Sequence, residues 1–532
     1  MNKKVIITAL LFVMGCFAVH QECAFANNLA VSNVTMSTRD PANDTFILQF
    51  DVSWNNSWRN KINHDAIWFF VKVDTGTAPY SHCLMKTSGA SPTGFSAGSD
   101  TNLAIYVPSD KTGAFLRPSS YRAMGSVSST SVQLKVDYGA SSCNIADTAS
   151  ITPYVYGIEM VYVPQGEFYV GDFATSTSSF KQGSADDDPW YISSEGTLLT
   201  TSGASDGYYY VDSTATVGAE FLDGDIFTIP AAFPKGYQAF YCMKYEVTEG
   251  QYVDFINSLS PEAAKTRDIT DTTGKNSDSV IVRNTITINS AVPTATTTRS
   301  DRALNYISWM DLSAYLDWAA LRPMTELEYE KVARGPVIPV KGEYAWGTTD
   351  IIRAVTISIS PEDGTETVTT TDGIGRAYVN QGGRTFSRGD VHLGVEYTRG
   401  PLRVGIFATA TADRVTAGAG YYGAMELSGN VSEMVVIIGN SWGITYTGGH
   451  GDGALTTSTT NQGNANVTGW VLLDPADSAR GITGYTGSAD RGDGWTAASG
   501  TISYRRRYLD NVGMDGIPRK HYIGGRGVRT YN

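Results

Sequence analysis

Thiols and imidazoles are the scarce reactive groups of this 532-residue sequence, which has five cysteines and six histidines. A thiolate is both a nucleophile and a soft metal ligand, so the cysteines are the first residues to weigh for such chemistry. Beyond residue 26 only Cys83, Cys143 and Cys242 remain. Cys83 and Cys143 both fall in the N-terminal region and can pair in an oxidising compartment, provided their Cα atoms come within bonding range. Cys242, flanked by Phe240, Tyr241 and Met243, reads as a buried small hydrophobe rather than a reactive thiol. Of the histidines, His64, His82, His392, His450 and His521 are scattered along the chain, and no two are spaced as ligands on one element. Solvated or singly hydrogen-bonded rings are the plainer account of them. Neither of the glycine-rich loops at 448–453 and 492–495 opens an evident helix after a strand, so neither is a phosphate loop.

The remaining charge narrows the partners. A formal net charge of -13 opposes nucleic-acid binding, which needs clustered lysine and arginine. The one dense basic run, Arg505 to Arg507, reads as a solvated or ion-paired face. Lys3 and Lys4 followed by the apolar residues 5–19 and by Ala24, Phe25 and Ala26 read as a signal peptide over 1–26, cleaved after Ala26. A rival placement makes Cys16 a lipoprotein acceptor, a site that Met14 fits poorly. The apolar run is short for a membrane span and no other stretch replaces it, so a secreted, periplasmic or cell-surface location is expected, with no transmembrane segment after cleavage.

Two kinds of element must position these groups. Over 27–152, Leu48, Phe50, Val52 and Trp54 alternate with polar residues, as do Val132, Leu134, Val136 and Tyr138. That period of two, with turn-forming clusters between runs, predicts an all-β sandwich of immunoglobulin or fibronectin type. Residues 66–73 form a more continuously apolar strand. Past Met160 the pattern changes to short capped helices. Thr248 with Gln251 and Thr325 with Glu328 have capping-box spacing, and Ser308 can cap a third helix carrying Leu312, Tyr315 and Leu316. Long Thr-, Ser-, Asp- and Gly-rich stretches near 172–224, 265–300 and 350–375 read as surface insertions, some with hairpins of their own.

Five blocks of residues arrive in a telling order: 160–168, 240–248, 321–335 with 344–347, 425–434 and 524–529. Leu321 to Glu330 (LRPMTELEYE) and Gly429 to Met434 (GNVSEM) are the most specific. Together these blocks make residues 153–532 resemble the formylglycine-generating enzyme, or sulfatase-modifying factor, family. The resemblance implies a C-type lectin-like domain with little regular secondary structure, and hence an α+β chain overall. It also implies where chemistry would sit. Catalytic members place two copper-binding cysteines near the C-terminus, whereas here no cysteine follows Cys242. An iron-dependent branch uses a histidine cluster partly supplied by a helical bundle, and no such bundle precedes the domain. Neither copper nor iron is therefore expected. Structural calcium is implied instead, held by the Glu426 and Glu433 carboxylates and the Gly429 and Val431 carbonyls, with Asn380 matching a ligand of a second site. The alternative is that these acids are ordinary solvated or ion-paired groups. Relatives without the cysteines include surface binders, and Asp490, Arg491, Trp495, Arg505, Arg507 and Tyr508 are a mixed aromatic and charged set of the kind found on such a face. Ordinary surface residues are the plainer account of most of them. The leading expectation is a non-catalytic extracellular binder or structural protein. A divergent metal-dependent oxidase and a subunit of an extracellular assembly are the alternatives.

Overall fold

The computed structural model describes residues 29–173, 179–211, 221–289, 291–358, 362, 364–376, 378–380, 399–409, 411–496, 501–502 and 519–531. The expected signal segment and His392, Arg505, Arg507 and Tyr508 lie outside them. The described chain is strand-rich with several sheets and a few short helices.

Nine strands lead the chain: β1 (Ala30–Met36), β2 (Thr45–Arg59), β3 (Asp65–Asp74), β4 (Ser81–Met85), β5 (Gly89–Ala90), β6 (Leu103–Val107), β7 (Ala114–Pro118), β8 (Arg122–Asp137) and β9 (Thr152–Val163). The alternating runs lie where their period puts them. Leu48, Phe50, Val52 and Trp54 on β2 and Val132, Leu134 and Val136 on β8 are buried, while their polar neighbours are at least partly exposed. These strands enclose a core with Ile67, Phe69, Val71 and Val73 of β3. Cys83 and Cys143 are joined in a disulfide on this core, with Cα atoms 4.7 Å apart.

A boundary at residue 152 does not part the chain into separate bodies. β9 pairs with β3 along one edge and with the strand Phe240–Met243 along the other, and the sheet continues through Gly527–Thr530 to Arg322–Pro323. β3 is buried on both faces, which explains its unbroken apolar run. Its odd-numbered side chains face the N-terminal core, whereas Ala66, Trp68 and Phe70 join a second core with Tyr315, Leu316 and Trp318.

The helices are short and capped: α1 (Glu249–Asn257), α2 (Pro261–Thr266), α3 (Trp309–Trp318), α4 (Glu326–Arg334) and α5 (Ser441–Ile444). Thr248, Ser308 and Thr325 each form a full capping box at α1, α3 and α4. The three insertions carry short strands. Thr287–Asn289 pairs with Thr294–Thr296, Ile351–Ile357 pairs with Val368–Ile374, and Lys181–Gln182 pairs with Tyr208–Tyr209.

Candidate functional site

Buried ion pairs, rather than regular structure, hold the C-terminal loops in place. α4 is their hub. Glu326, Glu328 and Glu330 are all buried on it. Arg322 grips Glu328 with two hydrogen bonds of 2.9 and 2.6 Å. Arg334 bonds Glu330 at 3.0 Å and Glu343 at 2.5 Å, and Arg491 reaches both Glu326 and Glu330. Burial alone would push the Glu330 carboxyl up, but Arg491 and Arg334 hold it below its ordinary value. Bidentate guanidinium–carboxylate pairs of this kind fix loop geometry as well as charge.

The residues expected to cage calcium lie beside this hub. Glu433 is the second residue of the strand Ser432–Val436, which pairs antiparallel with Ser488–Arg491 and parallel with Ile523–Gly524. Both Glu433 oxygens accept from Arg526, each at 2.6 Å, and Arg526 also donates to the Met243 and Met425 carbonyls. Glu426 sits at φ +58°, where one oxygen accepts from Gly405 N at 2.8 Å and the other, fully buried, has no partner among the described residues. A third acid, Glu246, accepts from Val431 N at 3.0 Å and from Asn430 at 2.5 Å. Asn380 bonds the Asn430 side chain and the Gly400 carbonyl.

This arrangement does not fit a calcium cage. Calcium takes six to eight oxygens with carboxylates turned toward it. Here the Glu433 carboxylate is turned to a guanidinium that already supplies the counter-charge, and one Glu426 oxygen is taken by Gly405 N. Burial pushes Glu426 up to about 7, and burial together with Glu426 and Glu433 pushes Glu246 well above the usual carboxylate range.

The expected ligand face is also placed differently. Asp490 and Arg491 are each 1% exposed, and Trp495 is 6% exposed. Arg491 is spent on α4 and stacks over Tyr329, and Trp495 donates to the His521 carbonyl at 3.0 Å. The strand they flank is interior, so they serve packing rather than contact with a partner.

Cys242 is fully buried and is the one free cysteine among the described residues. Burial pushes its thiol up to about 12. A thiol so raised is neither nucleophile nor ligand at neutral pH. His450 is also spoken for. Its Nε2 accepts from Thr530 N at 3.0 Å, so Nδ1 donates to Asp110 at 3.2 Å.

Two open clefts are better placed to meet a ligand. One, of about 340 Å³, is walled by Glu195, Pro234, Arg322, Glu328, Gly449 and His450, with Arg322 and Glu328 paired to each other and Glu195 bound to the Lys235 and Gln238 amides. The other, of about 220 Å³, lies between the β2–β8 tips and the 408–425 loop and is lined chiefly by Trp58, Tyr245, Tyr421, Tyr422 and alanines. Sequence reading missed this cleft, the third acid Glu246 and the pairing of Arg526 with Glu433. One signal was present, because Lys244 and Glu246 stand within an apolar run, where a charge must find a partner.

A model of the sulfatase-modifying factor enzyme 1-like domain matches residues 153–446, more than half of the chain. The protein belongs to that family. No curated protein matches the chain. The match starts on β9 and stops after α5, and the strand Gly527–Thr530 beyond it completes the sheet beside Phe240–Met243.

Proposed function

We propose that this protein is an exported, non-catalytic binding or structural member of the sulfatase-modifying factor family, with its N-terminal strands forming an immunoglobulin- or fibronectin-like module. One observation carries the reading. The family-matched region holds a single cysteine, Cys242, and that thiol is sealed inside the core with no cysteine after it. Two accessible thiolates are the minimum for the copper chemistry of the catalytic relatives, and serine, threonine or glycine is not a soft ligand. The loops are instead tied by arginine–carboxylate pairs, which build a rigid scaffold for surface contacts. No helix among the described residues is long and apolar enough to cross a membrane.

The test is the metal content of mature protein purified without added metals or chelators. The reading expects neither copper nor iron near stoichiometry. Copper or iron at about one per chain would reject it in favour of an oxidase.

A further inference from the structure

The seam cleft is built from both ends of the chain. The tips of β2 and β8 bring Trp58 and Met124, the 408–425 loop brings Ala412, Arg414, Tyr421 and Tyr422, and Lys244, Tyr245 and Met425 complete the lining. Its walls are fixed to each other. Asn63 donates to the Tyr422 carbonyl at 2.7 Å and accepts from Trp58 Nε1 at 3.2 Å. Gly423, at φ +89°, leaves room for the indole, since a Cβ there would come within 2.8 Å of the Trp58 ring. A preformed pocket with aromatic walls suits a flat apolar group.

The polar lining has a sign. Lys244 Nζ donates to Asn56 O and Glu159, both at 3.1 Å, and lies 5.2 Å from the Trp58 ring centre. An ammonium has three donors, so one is uncommitted among the described residues. Arg414 gives Nη2 to the Ala333 and Ala345 carbonyls, at 3.0 and 2.9 Å, and its guanidinium lies 5.3 Å over the Tyr421 ring, with no carboxylate bonded to it among the described residues. The only carboxylate in the lining, Asp413, is spent on Thr416 and Arg376. Behind Lys244, Asp65 accepts from Trp54, Ser57 and Trp58, and Glu159 pairs with the ammonium at 3.1 Å, so Arg414 supplies the larger share of the positive field in the cleft.

We propose that this cleft binds a free single-ring aromatic carboxylate, with the ring against Trp58 and Tyr421 and the carboxylate toward Lys244 and Arg414. A benzene-sized guest needs roughly 150 Å³. The cleft's 220 Å³ therefore has room for a ring and one small acidic group. The inference rests on the reading of this protein as a binder.

Calorimetric titration of the full chain tests it, with phenylacetate as probe and benzyl alcohol and acetate as controls carrying one feature each. Phenylacetate should saturate one site, with benzyl alcohol at least tenfold weaker and acetate unbound. Ala412→Trp, which fills the cleft from its rim, should weaken phenylacetate at least tenfold with an unchanged melt. Met124→Glu, on an exposed rim residue, should weaken it severalfold, and salt should lessen that effect. Equal binding of benzyl alcohol, variants that bind like the parent, or no saturation would overturn the proposal. Tighter binding of a peptide ending in phenylalanine, or self-association abolished by Ala412→Trp, would overturn it in favour of another occupant. Failure here leaves the non-catalytic reading standing, because that reading is judged by metal content and turnover and not by this titration.

Discussion

At the scale of single residues, the decisive contact is Arg526 against Glu433. Three buried acids meet one guanidinium, and burial with mutual repulsion raises the Glu246 and Glu426 carboxyls. The sign follows from Glu426, whose folded pKa of about 7 stands above the ordinary 4.5. The folded state holds that proton longer, so its contribution is full below 4.5 and is lost as the pH rises through 7. Glu426→Gln keeps an acceptor for Gly405 N without the charging cost. It should raise the melting point relative to the parent at pH 8 and leave it nearly equal at pH 5, by up to roughly 3 kcal/mol. An equal shift at both values would contradict the account. Arg526→Met strands the Glu433 charge and should cost about 3–5 kcal/mol in denaturant unfolding. Calcium or chelator should leave the parent melt unchanged. The sequence marked Glu426, Glu433 and Arg526 as members of family blocks, yet it could not show which charge neutralises which. That depends on β9, Phe240–Met243 and Gly527–Thr530 being neighbours, and no local pattern encodes it.

Elements were more legible, because caps and alternation are local. Thr325 with Glu328, Thr248 with Gln251 and Ser308 with Asp311 form boxes at helix starts, since side-chain oxygens satisfy otherwise orphaned amides. Thr325 also donates to the Pro234 carbonyl at 2.9 Å, so Thr325→Ala should cost about 1 kcal/mol or somewhat more. Chemical denaturation would show it, and no change would mean that α4 is held by its ion pairs alone. The Cys83–Cys143 bridge closes a loop with a sequence separation of 60. Its removal by a Cys83→Ser, Cys143→Ser double variant should cost about 4 kcal/mol on the loop-entropy model. Alkylation before and after reduction, read by mass, checks that the bridge exists. The insertions illustrate the limit of local reading. Their threonines and glycines announced hairpins, but partners such as Tyr208–Tyr209 for Lys181–Gln182 follow from tertiary packing.

For the whole molecule, the N-terminal strands and the family domain are one structure. Trp68 donates to the Ala319 carbonyl at 2.9 Å, Lys72 to Gly453 at 2.6 Å, and Asp110 receives Arg529 and His450 from the far end of the chain. The long apolar run of β3 was the visible sign of two-sided burial, although it read naturally as one core strand. A chain beginning at residue 153 would uncover the faces that Ala66, Trp68 and Phe70 cover. It should be aggregation-prone or bind hydrophobic dye, and a soluble, cooperatively melting fragment would contradict the seam.

The central claim, that the fold has kept its scaffold without the family's oxidation chemistry, is tested most directly by incubating copper-loaded protein with a cysteine-containing peptide under oxygen. Mass spectrometry would then be used to look for conversion of the cysteine to formylglycine. The account predicts a peptide mass unchanged relative to a protein-free control. Catalytic, copper-dependent conversion would contradict it and would require a redox site other than Cys242.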